Sequence, residues 1–264
     1  MYRFIKIIFF LIFLTNISSN IHAENTKNVK IIWEDDFTVQ EKAKLRSWLK
    51  TSLSACQKLL GTYNFEFNFF VHKSENASEP VPWAHTSRSS PQAVHFHVNP
   101  DFTLQEFLDD WTAVHEISHL AIPFLGSENS WFAEGFATYL QNLILLDMGI
   151  YDQKRYKEKY KYKLDNARPH FTKDKSFISV LKSLRSQYKF PEMYYGACCF
   201  FLELNKKYQN QTGNDLLFYL REYQKCCRSG HSSLNDFISE LDKISKTNIA
   251  SDFLEEMKNT QLVF

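Results

Sequence analysis

Two histidines four residues apart, His115 and His119, enclose a glutamate, Glu116, and a second glutamate, Glu134, follows after fourteen intervening residues. A helix turns once every 3.6 residues, so positions four apart share a face and both imidazoles can reach one metal ion. Glu116, next to the first imidazole, is placed to touch a water activated by that metal without ligating it. Two imidazoles and one carboxylate complete a three-ligand zinc set whose fourth position stays open for water, the pattern of catalytic rather than structural zinc. The spacing therefore predicts one zinc held by His115, His119 and Glu134, with Glu116 as general base.

The surrounding residues say how these side chains are carried. Leu104, Phe107, Leu108, Trp111, Val114 and Leu120 recur at helical spacing, which predicts a largely buried helix under the histidines. A buried histidine pair flanking a glutamate is costly unless something binds them. Pro123 and Gly126 end that helix, and Ser127 to Ser130 offer caps for a second over roughly 129–147. The two pack as a short hairpin, and Glu134 then faces the histidines.

With the stretch Trp131-Phe132-Ala133-Glu134-Gly135-Phe136-Ala137 added to the His-Glu-x-x-His motif, the chain resembles the gluzincin metallopeptidases, in particular their aminopeptidase N-like and peptidase MA-like members. The resemblance is specific over about 105–140 and general elsewhere. It implies that Glu134 is the third zinc ligand and that the substrate is a peptide or protein. In this chain the gap between His119 and Glu134 is four residues shorter than in the large aminopeptidases, about one helical turn, which a shorter loop absorbs. The family also supplies an oxyanion donor from a Tyr-x-x-Gly motif. The matching stretch reads Pro191-Glu192-Met193-Tyr194-Tyr195-Gly196, with Met193 at the tyrosine position, so either Tyr194 or Tyr195 is the candidate. No Gly-x-Met-Glu-Asn segment occurs to capture a free amino end. Exopeptidase and endopeptidase action are therefore equally open. A zinc-binding or protein-interaction scaffold that has lost turnover is the alternative, which retention of Glu116 opposes.

Along the chain, Val29 to Trp33 reads as a strand, 38–60 as an amphipathic helix ended by Gly61, and Asn64 to His72 as an alternating strand. Residues 73–92, rich in Ser, Pro and Asn, read as a loop, and Ala93 to Val98 alternates again. From 103 onward nearly everything reads as helix, with later helices near 153–164, 176–187, 192–208, 213–227, 232–244 and 247–258. The predicted class is α+β: a small N-terminal mixed sheet with a helix beside the metal helix, then a mainly helical part. Domain-wise this gives 24–102 as an α/β subdomain, 103–150 as the zinc hairpin and 151–264 as a helical subdomain. In the resembling family a sheet edge strand receives the substrate backbone, which would assign that role to 93–98, with His95 and His97 pointing outward.

Met-Tyr-Arg-Phe-Ile-Lys followed by the apolar run Ile7 to Leu14 and a small residue at Ala23 reads as a secretory signal peptide over about 1–23. Eight apolar residues span too little of a ~30 Å hydrocarbon core for an anchor. The expected product is exported, periplasmic or secreted, with no stable membrane insertion. Without Arg3 and Lys6, 29 basic residues face 30 acidic ones, a net charge of −1, which argues against nucleic acid as the main partner. Of five cysteines, Cys198 or Cys199 is expected to bridge Cys226 or Cys227, because adjacent cysteines pair with strain. Cys56 reads as simply buried. Lys154 to Lys163 carries five lysines and an arginine among three tyrosines and reads as a solvated helix face, with substrate steering as the minority reading.

Overall fold

The computed structural model describes residues 29–172, 174–228 and 230–261; the expected leader over 1–23 lies outside them. Its first layer is a four-stranded mixed sheet of β1 (Val29–Trp33), β2 (Phe67–Lys73), β3 (Trp83–Ser87) and β4 (Gln92–Val98), in the order β1-β2-β4-β3. β1, β2 and β4 run parallel and β3 is antiparallel to β4. Alternation sets which side is buried. Ile31, Phe69 and Val94 form one register row of the inner face, and Val71 and Phe96 belong to the next.

α1 (Val39–Leu60) packs on that inner face. Thr38 and Glu41 form a capping box at its start, worth about 1 kcal/mol. Trp48, fully buried, meets Phe96 edge-on at 5.2 Å and Phe107 at 4.9 Å, tying the helix to the sheet and to the segment just before the metal helix. Cys56 is buried on the same helix, as expected.

Two expectations about this layer need correcting. The edge next to the metal helix is β3, inside the stretch read as a loop, and β4 is an interior strand. Trp83-Ala-His-Thr-Ser lacks a clear alternation of apolar and polar residues, so its pairing with β4 supplies what its own pattern does not. His95 and His97 do point outward, but into a stack of rings with Phe70, His72, His85 and Trp83. The helix expected to run unbroken over 104–120 is in fact two, α2 (Leu104–Asp109) and α3 (Thr112–His119). Asp110 turns extended between them and its Oδ1 accepts the Thr112 N–H at 2.8 Å, the local bond through which Asp competes with helix propagation.

The second layer is helical: α4 (Ser130–Asp147), α5 (Gln153–Ala167), α6 (Phe177–Ser186), α7 (Phe190–Thr212), α8 (Leu216–Cys226), α9 (Leu234–Ser245) and α10 (Ile249–Asn259). Aromatic rings fill it, with Phe132 in contact with Phe200, Phe201 and Phe237. α4 and α7 approach closely at Gly135, where an added Cβ would lie 2.6 Å from that of Ala197. Only a residue without a side chain fits between the two backbones there.

The expected disulfide is also corrected: Cys226 and Cys227 are bonded to each other. Cys198 and Cys199 are buried free thiols within α7. Cys198 lies 3.5 Å from the Tyr160 hydroxyl of α5, whereas the other pair sits at the end of α8, which packs on α1 and α9. The two pairs serve different contacts. No helix among the described residues is long and apolar enough to cross a membrane.

Candidate metal centre

α3 projects His115 and His119 from one face, their rings 4.9 Å apart and nearly perpendicular. Glu134, one turn into α4, meets both: its Oε2 lies 3.2 Å from His115 Nε2 and 3.6 Å from His119 Nε2. All three donor atoms fall within 4.8 Å of one another, and no other cluster of at least three such donors occurs among the described residues. A tetrahedral zinc with ~2.0–2.2 Å bonds sets its ligand atoms ~3.3 Å apart, so this donor set fits that ion.

The electrostatics suit a cation. Burial would raise the Glu134 carboxyl, but the charges and hydrogen bonds of His119 and His115 hold it far below the usual carboxylate range. Burial opposes protonation of His115, and the hydrogen bond and charge of Glu134, then the charge of Glu116, overcome it. The His115 imidazole thus meets enough negative charge to hold a proton in a buried place, which is where a dication would bind instead.

Neighbouring groups orient these donors. Gln141 Oε1 accepts from His115 Nδ1 at 2.7 Å, which leaves Nε2 free to face Glu134. Thr86, on the edge strand β3, donates its hydroxyl to Glu116 Oε2 and to the Glu116 carbonyl, both at 2.9 Å. The carbonyls at the end of α3 are taken up by side chains from elsewhere. Arg88 donates to His119 and Ile122, Gln224 to Ala121, and Arg228 to Leu120. Two guanidinium groups at a helix C-terminus also complement its dipole. Burial brings both Arg88 and Arg228 down to about 10.

Tyr194 and Tyr195, left as alternatives by the sequence, are separated by the structure. Tyr194 borders a cleft of about 330 Å³ together with Thr86, Arg88, Glu116, His119 and Glu134. Its phenol is raised by burial, then by the charges of Glu134 and Glu116 and a hydrogen bond to Glu134. Tyr195 instead faces Gln141 and Asn142 of α4 and packs against Tyr160 of α5. Thr86, Arg88, Gln141 and Arg228 were not singled out from sequence. Of these only Gln141 had a signal, lying two helical turns after Glu134 and so on its face.

Comparison with known proteins adds three findings. Residues 125–196 match the M61 glycyl aminopeptidase family model, a segment that contains Glu134 and both tyrosines but not the two histidines. No curated protein matches the sequence. The fold is shared with yeast LTA4 hydrolase in complex with bestatin, at a TM-score of 0.59 and 12% identity over 90% of this chain and 38% of that one. It is shared also with an M1 zinc metallopeptidase from Deinococcus radiodurans, at a TM-score of 0.51 and 14% identity over 87% of this chain and 46% of that one. The chain spans less than half the length of either structure. The chain is thus similar over one segment to the M61 glycyl aminopeptidase family and in fold to an M1 zinc metallopeptidase.

Proposed function

We propose that this chain is an exported zinc-dependent metallopeptidase that hydrolyses peptide bonds. The observation that carries the reading is the convergence of His115, His119 and Glu134 beside a separately held Glu116. The first three would hold the metal. A bound zinc supplies Lewis acidity, bringing the pKa of coordinated water toward neutrality and polarising a carbonyl oxygen.

The protein's own groups do the rest. Glu116 takes the proton of the attacking water on its carboxylate and delivers it to the leaving amine. The Thr86 hydroxyl, bonded to Oε2 of Glu116, keeps that carboxylate aimed into the cleft. Tyr194 donates its phenol proton in a hydrogen bond to the oxyanion as charge develops there. Gln141 holds the His115 ring in the tautomer a ligand needs. Export is supported by the Arg3, Lys6 and Ile7 to Leu14 pattern.

Metal analysis of the purified chain should find about one zinc per molecule, lost in a His115→Ala, His119→Ala variant. A peptide-library digest should then show cleavage by the native chain and a loss of about 10²-fold or more in Glu116→Gln. Cleavage unaffected by Glu116→Gln would defeat the hydrolytic role. Full zinc content without any cleavage would leave a metal-binding scaffold.

A further inference from the structure

The lysine-rich helix α5 distributes its charges unevenly. Lys154 and Lys161 are exposed and pair one turn along with Glu158 and Asp165, at 3.9 and 2.6 Å. Lys159 and Lys163, also one turn apart, are half-buried and make no ion pair among the described residues. Lys159 donates to the Tyr151 hydroxyl, and the Lys163 ammonium lies 5.8 Å from the centre of the Tyr195 ring.

Both lysines line a pocket of about 220 Å³ walled by Trp111, Phe190, Tyr194 and Tyr195, and no carboxylate lines it. That volume is below the ~300–1,000 Å³ of pockets for drug-sized ligands and suits a single side chain. The pocket adjoins the metal centre at three points. Gln141, which holds His115, is in its wall; Trp111 meets the His115 ring edge-on at 5.3 Å; Tyr194 borders both spaces.

Two ammonium groups one turn apart without a counter-ion repel each other, and at Lys159 burial adds a desolvation cost. Burial, then the charges of Lys163 and Arg155, brings Lys159 down to about 8 against the opposing charge of Asp110. Asp110 offers only partial relief, its charge acting on Lys159 more weakly than burial, Lys163 and Arg155 do. An anion in the pocket would relieve the cost, and a free amine or basic side chain would add to it.

We infer that this pocket is the substrate subsite beside the scissile bond and that it takes a carboxylate, from an acidic side chain or a free C-terminus. The word substrate rests on the hydrolase reading; the carboxylate preference does not. Lys159 and Lys163 are the specificity residues, and Trp111 and Tyr195 the apolar walls against which the stem of the bound side chain lies.

The test reads binding on the zinc-loaded Glu116→Gln chain by fluorescence anisotropy with matched labelled peptides. These carry Glu or Gln at each position in turn and end in a free or an amidated C-terminus. A carboxylate at one position, or at the C-terminus, should bind at least about tenfold tighter than its neutral counterpart. The arm that shows the preference identifies the source. The preference should vanish in Lys159→Gln, Lys163→Gln and return in the double arginine variant. Should the double glutamine variant fail to fold, Lys163→Gln alone must weaken the preference at least about threefold. Equal binding of charged and neutral peptides, or a preference that survives these substitutions, overturns the inference. The native chain is then given the same peptides. Cleavage without charge preference sinks the pocket alone. A lysine-dependent preference without cleavage sinks the hydrolase reading and retains the pocket as a carboxylate-binding site.

Discussion

Gln141 Oε1 stands 2.7 Å from His115 Nδ1, two turns beyond Glu134 on the same face of α4. One helix thus provides both the third donor and the group that fixes the tautomer of the first. Gln141→Leu leaves a buried Nδ1–H unpaired and should weaken zinc binding by about 10–100-fold. Gln141→Glu, which keeps an acceptor, should recover most of that loss. Chelator competition measures both, and identical curves for the Gln141→Leu variant and the native chain would count against the role.

The two adjacent tyrosines should separate in kinetics. Tyr194→Phe is expected to lower kcat by about 10²–10³, some 3–4 kcal/mol, with little change in KM, as for a donor acting on developing charge. Tyr195→Phe, whose phenol faces Gln141 and Asn142, should affect kcat far less. Equal losses in both variants would contradict the assignment.

Gly135→Ala places a methyl group 2.6 Å from the Ala197 Cβ and forces α4 and α7 apart. Overpacking of this kind costs about 1–3 kcal/mol, and Tm should fall by about 2–4 °C for each. Because Glu134 and Tyr194 flank this contact on the two helices, activity should fall as well. Adding Ala197→Gly should restore part of both. Calorimetry and a peptide assay on the four chains of this cycle settle it.

Lys159 gives a pH signature. Its folded pKa is about 8 and its ordinary value 10.5, so between the two the unfolded chain carries the extra proton. Stability from this group therefore rises with pH across about 8–10.5, and its penalty is fully present below 8. The Tm gap between Lys159→Met and the native chain should narrow over that window. Binding preference for carboxylate-bearing peptides should decline over the same rise.

Much of this was legible in the sequence because its signal is periodic. The strand at Val29–Trp33 follows from its short apolar run, and the helices after residue 130 and the shared face of His115 and His119 follow from 3.6-fold spacing. What escaped depends on distant partners. β3 is a strand because β4 lies beside it, and Thr86 matters because that edge meets Glu116. Arg88 and Arg228 become helix-end partners only once the chain has folded back over α3. The break at Asp110 was hidden because the apolar stripe continues across it, while the cause is one side chain bonding to the backbone two residues on. The cysteines misled because proximity in space, which decides pairing, is absent from their spacing.

Arg228 and Gln224 reach from the end of α8 to the Leu120 and Ala121 carbonyls at the end of α3. A truncation that removed the last three helices would strand those acceptors in a dry interior, at about 1–3 kcal/mol apiece. The late helices are therefore structural guarantors of the metal helix, and the two should melt as one cooperative unit instead of as detachable lobes.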